Sequence, residues 1–248
     1  MSSGLYKMVG GLNGELKRQE AIARNLVGSA LSGYKAQHLS GTFQAELETK
    51  LGEAQGGQDV TVDRLDTDFS QGTLIQTGRA LDLAIHGDGF FRVTTPGGQK
   101  YFTRNGQFHL SARGSLITQE GYTLDGKSGP VTLDSRDSVE NLRVSENGNV
   151  SVITDGVTKT IGQVGIYDIA KRPDLQRKSA NYFGLTESRD PSMLKDSRLL
   201  NGYREAANAS PIQEMAKMVQ SLREFEIGQQ LVRMQMEMSR DEQQKLAQ

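Results

Sequence analysis

Residues 210–240 constrain this chain more than any other stretch, because they join a helix-starting signal to apolar side chains that need cover. Ser210, Pro211, Ile212 and Gln213 spell a capping box. The serine hydroxyl suits the N3 amide, the proline sits at N1 where no amide is missed, and the glutamine reaches back. Met215, Met218, Leu222, Phe225, Val232 and Met236 follow at alternating steps of three and four, with Gln229 in the remaining seam place. That period winds one helix left-handed around another. Left in water such a stripe is costly, so something must cover it.

A matching stripe stands at the other end. Leu5, Met8, Leu12, Leu16, Ile22 and Leu26 fall mostly at steps of three and four, with Gln19 in a seam place, which predicts a helix from Ser3 to about Gly28. At 1.5 Å per residue it is about 39 Å long. Gly28, Ser29 and Gly33 end it. Phe43, Leu47 and Leu51 fit two further helical turns, and the polar run 52–59 reads as a mobile linker.

Between the two stripes the period drops to two. Val60 and Val62, then Leu81, Leu83 and Ile85, alternate with single residues. The dipeptides Asp88-Gly89, Asn105-Gly106, Asp125-Gly126, Asn147-Gly148 and Asp155-Gly156 read as tight hairpin turns. Short β-rich runs lie between them, and a mixed stretch from Lys171 to Gly202 reads as an extended return connection. The expected fold class is therefore α+β. Long N- and C-terminal helices pair as a coiled-coil-like helical domain, and an antiparallel all-β sandwich or partial barrel is inserted between them. The expected boundaries are 1–32 with 205–248 for the discontinuous helical domain, 33–75 and 170–204 for linkers, and 76–169 for the β domain.

Composition removes several function classes. A net charge of -1 leaves no basic footprint for nucleic acid. With no cysteine there is no thiolate nucleophile, thiolate metal site or disulfide. His38, His86 and His109 lack the spacing of metal ligands. The first residues carry no apolar run of signal-peptide or membrane-spanning length. Asp82 and Asp88 flank an apolar strand, but Asp88 opens an Asp-Gly turn rather than completing an acid-base pair. Gly87-Asp88-Gly89 lacks the third glycine of a dinucleotide loop, and Asn208-Ala209-Ser210 is a glycosylation triplet whose serine already caps a helix. No nucleophile-base-acid set is in view, so the reading is a non-enzyme without cofactor or metal. The methionines Met215, Met218, Met234, Met236 and Met238 suit either a core or a packing surface shared by non-equivalent neighbours.

Several motifs carry a family resemblance over nearly the whole chain. Asn25-Leu26 followed by Gly33-Tyr34-Lys35 resembles the N-terminal signature of the bacterial flagellar axial proteins. The run Leu81 to Phe91, which holds Asp82, Gly87, Gly89 and Phe90, is similar to the rod and hook core motif, continued by Phe102-Thr103-Arg104-Asn105-Gly106 and Gly121-Tyr122. Glu205, Asn208, Pro211, Ile212, Glu214 and Met215 resemble the C-terminal entry motif. Gly28 and Ala30 stand where the family usually has asparagines, and Ala206-Ala207 replaces a glycine-serine pair. The resemblance implies a basal-body rod protein, most like the proximal rod protein. It also implies a structural subunit exported without a cleaved signal through the flagellar type III apparatus into the periplasmic rod. Its partners are then copies of itself and other rod subunits, with the terminal helices as the assembly seam and the β domain as spacer. The other readings are a distal rod or hook-type protein, a secreted adhesin with a helical stalk, and a secreted β-rich hydrolase.

Overall fold

A computed structural model describes residues 3–40, 64–133, 141–154, 157–169, 174–186, 191–194 and 198–246, with the side chains of 3–9, 64, 154 and 239–246 outside that description. The chain divides into two compact units. One comprises Met1–Val27, Ala36–Asp68 and Ala209–Gln248, the other Gly28–Lys35 and Phe69–Asn208. Phe43, Leu47, Leu51, the 52–59 run, Val60, Val62 and the Asp155-Gly156 dipeptide lie outside the described residues.

The first unit holds helix α1 (Ser3–Gly28), helix α2 (Pro211–Leu246) and an antiparallel ribbon of Gln37–Ser40 with Arg64–Thr67, in register from Gln37↔Thr67 to Ser40↔Arg64. Helix α2 starts at Pro211, where a proline costs no helical amide bond, and the Glu214 N–H donates to the Ser210 carbonyl at 3.0 Å. Its buried or half-buried positions are Glu214, Met218, Ser221, Phe225, Gly228, Val232 and Gln235. They recur at steps of four and three, one place before Met215, Leu222, Gln229 and Met236 at every second position. Gly228 permits close approach, since a Cβ there would lie 2.8 Å from Leu12 Cδ2. Polar bonds tie the same face. Gln19 donates to the Ser221 carbonyl at 3.4 Å, the Ser221 hydroxyl donates to the Glu15 carboxylate, and Arg18 lies 3.8 Å from Glu224.

The expected coiled-coil-like helical domain is thus corrected. Among the described residues there are two helices, a β ribbon shares their unit, and the rest is β structure in several sheets. The reason lies in α2 itself. It carries apolar side chains on more than one face, so a seven-residue period can be drawn through either of two adjacent tracks, and the track turned inward is the one holding Ser221 and Gly228.

The second unit is antiparallel throughout its named pairings, and it replaces the single expected sandwich with one branched sheet and three smaller ones. The main path runs Leu175–Arg177, Phe183–Leu185, Lys100–Thr103, Phe90–Thr94, Thr123–Gly126, Leu116–Ile117 and His109–Leu110. Leu142–Val144, Asn149–Thr154 and Val157–Gln163 form a three-stranded sheet. Arg198–Asn201 pairs with Leu83–His86, and Tyr203–Glu205 with Leu74–Gln76, so the stretch leading to α2 is hydrogen-bonded strand rather than a bare connection. Successive side chains on a strand face opposite ways. Accordingly Phe91 and Val93 enter a core with Leu83, Phe108, Leu124 and Val150, whereas Phe90 joins Phe102, Tyr167 and Phe183 in a separate cluster. A strand buried on both faces explains why apolar side chains stand at both Phe90 and Phe91, on opposite sides of the sheet.

The turn dipeptides divide by role. Gly148 has φ 80° and closes the reversal after Leu142–Val144, with its N–H donating to the Ser145 carbonyl at 2.8 Å. Gly106 has no positive φ. A Cβ there would collide with the Leu83 carbonyl, so that glycine is required by close packing of two backbones.

Candidate assembly site

The residues of the terminal motifs are joined by two buried polar clusters, one in each unit. In the first, the Asn25 side chain acts as a short piece of strand. Its Nδ2 donates to the Gln37 carbonyl at 2.7 Å, and its Oδ1 accepts from the Gln37 N–H at 2.8 Å. The same Nδ2 lies 3.2 Å from Glu214 Oε2, and Lys217 donates to Glu214 Oε1 at 2.6 Å. One amide thus fastens α1, the ribbon and the first turn of α2. Aspartate at this place has no N–H to give and would face the Glu214 carboxylate. Asn25→Asp is expected to lower stability by about 1–3 kcal/mol, the penalty for stranding buried polar groups, read as a fall in urea midpoint. An unchanged midpoint would remove this role.

In the second unit the Glu205 carboxylate is 0% exposed and lies between two cations. Lys35 Nζ is 2.6 Å from Oε1 and Arg104 Nη1 is 3.3 Å from Oε2, while the Gly72 N–H donates to Oε1 at 3.0 Å. Lys35 also donates to the Ser70 carbonyl at 2.6 Å, and Arg104 to the Gly87 carbonyl at 2.8 Å. Gly33 donates its N–H to the Glu205 carbonyl at 2.8 Å, has φ 67°, and stands where a Cβ would strike the Arg104 backbone. Charges taken out of water need this degree of pairing. The cluster therefore holds together the start, middle and end of the unit.

Other motif residues have definite places. Tyr34 is buried, with the Arg177 guanidinium 4.9 Å from its ring centre, and its ring occupies the space that a Cβ at Gly28 would need. That contact accounts for a glycine at this position. Asp82 is buried with Arg79 3.9 Å away, and Gly89 has φ 110° beside Ile166. Asn208 donates to the Ser70 hydroxyl at 3.2 Å.

The expected seam residues divide by exposure. Ile22 is buried, and Leu12, Leu26, Met218, Phe225 and Val232 are half-buried. Leu16 is 48% exposed and Leu222 46%, and Met215 and Met236 are also exposed. The side chains of Leu5 and Met8 lie outside the described residues. Ile212, Val219, Ile227, Leu231, Met234 and Met238 add further exposed apolar surface on α2. Sequence reasoning missed Glu15, Ser221, Gly228 and Gln37. Of these only Gly228, a glycine inside a helix pattern, gave a local sign of close approach. No described helix is long and apolar enough to cross a membrane.

Comparison with known proteins agrees with these motifs. The family described as "Flagellar hook protein FlgE/F/G D1 domain" matches residues 84–152, within the β unit. The chain is similar to the flagellar basal-body rod protein FlgF of Caulobacter vibrioides, with 30% identity across 85% of this chain and 84% of that one. It is 26% identical to the rod protein FlgG of Bacillus subtilis, over 94% of each chain. FlgF of Salmonella typhimurium is also 26% identical, over 94% of this chain and 93% of its own. With identity at this level along most of both chains, and the rod signatures joined by its two buried clusters, the protein belongs to the flagellar basal-body rod protein family.

Proposed function

We propose that this chain is a structural subunit of the flagellar basal-body rod, built to polymerise with copies of itself and with other rod subunits through its terminal helices. One observation carries this reading: in a rod-family chain, α2 keeps a row of apolar side chains in water after its own partner helix is in place. A heterologous contact between such surfaces whose rotation does not close builds a filament. The β unit serves as spacer and lateral contact. The role is mechanical, with no catalysis. The subunit reaches the periplasmic rod through the flagellar export apparatus without a cleaved signal, and occupies the proximal rod, the position that the motif resemblance implies.

Electron microscopy of the purified chain at rising concentration tests the central claim. Helical tubes are expected above a threshold, and persistent monomers at every concentration would reject it. Labelled chain found at the distal end of isolated rods would reject the proximal position.

A further inference from the structure

The exposed apolar side chains of α2 are arranged diagonally, and the diagonal fixes how a neighbour can pack. Helical residues advance by about 100° each. Ile212, Met215, Val219 and Leu222 therefore point about 130° to one side of the inward face, and Ile227, Leu231, Met234 and Met238 about 120° to the other. The first group occupies the opening half of the helix, the second the later half. On each flank the remaining half is polar apart from the small Ala216 on the second. Glu226, Arg233 and Glu237 continue the first flank, and Gln213, Gln220 and Arg223 precede the second. All eight apolar residues are exposed, from 46% at Leu222 and Leu231 to 77% at Ile212.

An unshifted parallel neighbour would lay the apolar part of one flank on the polar part of the other. A neighbour shifted along the axis matches apolar to apolar. The spacing fits such a shift: the first group steps by three, four, three and the second by four, three, four. Ile212 then meets Ile227, Met215 meets Leu231, Val219 meets Met234, and Leu222 meets Met238, at offsets of 15 or 16 residues. Stripes stepped out of phase interlock as ridges into grooves. At 1.5 Å per residue the shift is about 23 Å.

We propose that the occupant of each flank is a second copy of this chain, mated head to tail so that the early stripe of one α2 packs on the late stripe of the next with an axial stagger of about 23 Å. The occupant is argued from self-complementarity, since each flank is matched in length, polarity pattern and step by the other. Each copy receives one neighbour and presents itself to another, so the contact repeats without closing. Each stripe leaves on the order of a few hundred Å² of apolar surface, and one such contact falls below the roughly 1,200 Å² of a stable interface. The contact is therefore weak singly and holds when several neighbours act together. The inference rests on the rod-subunit reading.

Because the chain has no cysteine, engineered thiols give a clean test. Val219→Cys, Met234→Cys and the double variant are concentrated as full-length protein until they polymerise, then mildly oxidised and resolved under denaturing conditions. The double variant is expected to give a ladder of dimers, trimers and longer chains. A mixture of the two single variants should give dimers only, and each single variant alone should stay monomeric. Dimers from Val219→Cys alone would show a symmetric contact and overturn the stagger. Polymers that form but fail to cross-link in the double variant would overturn it while leaving the rod reading standing. Absence of polymer at every concentration, in the wild-type chain as well, would overturn both.

Discussion

Replacing Glu205 with alanine should lower the stability of the protein by about 3–5 kcal/mol, because it leaves two buried cations without their shared carboxylate. Lys35 is 0% exposed and Arg104 3%, so neither ammonium nor guanidinium gains much from water when its partner goes. The Gly72 N–H loses its acceptor as well. A loss of this size is a large part of the 5–15 kcal/mol that holds a typical domain folded, so the variant should unfold at much lower urea or temperature. A double-mutant cycle adds a specific check. Lys35→Met should cost less in the Glu205→Ala background than in the wild type, since the ammonium has already lost its carboxylate there. Additive effects would mean that the two groups do not depend on each other. A loss below 1 kcal/mol for Glu205→Ala would remove the cluster from the account of stability.

Leu231→Asp should raise the concentration needed for polymerisation while leaving the monomer nearly unchanged. Leu231 is 46% exposed on the outer side of α2, so its loss in the free chain should move stability by no more than about 0.5 kcal/mol. In the proposed polymer the same position is covered. Covering a leucine that is 46% exposed is worth about half of a full burial, about 1 kcal/mol, and the carboxylate adds a desolvation penalty. Each 1.4 kcal/mol is tenfold in an equilibrium constant, so the threshold concentration should rise at least about tenfold, as read by sedimentation. Gln230→Asp, a substitution at an exposed neighbour off the apolar stripe, is the control and should polymerise near the wild-type threshold. A wild-type threshold for Leu231→Asp would exclude this side chain from the assembly surface.

Much of the local structure was legible from residues close together in the chain. Pro211 marks where α2 begins, because a proline at the first helical position lacks only an amide that has no partner there. The alternation through Leu81, Leu83 and Ile85 and the run at Phe90-Phe91 gave strands, since side-chain direction along a strand depends only on position. Asn147-Gly148 gave a turn for the same local reason. Asn105-Gly106 carries the same signal but answers to the Leu83 carbonyl, which no neighbouring residue foretells.

The sequence by itself therefore settled that helices stand at both ends and strands between them, because period, caps and turn chemistry act over a few residues. Tertiary structure alone decided which track of α2 turns inward. Two tracks one residue apart are both consistent with a seven-residue period, and the choice goes to the one whose Ser221 and Gly228 let α1 approach and take the Glu15 and Gln19 bonds. It alone brought Lys35, Arg104 and Glu205 together, since charge pairing depends on distance in space and these residues are separated by most of the chain. The apolar residues left over when that inward track was chosen are the ones that remain for a neighbour.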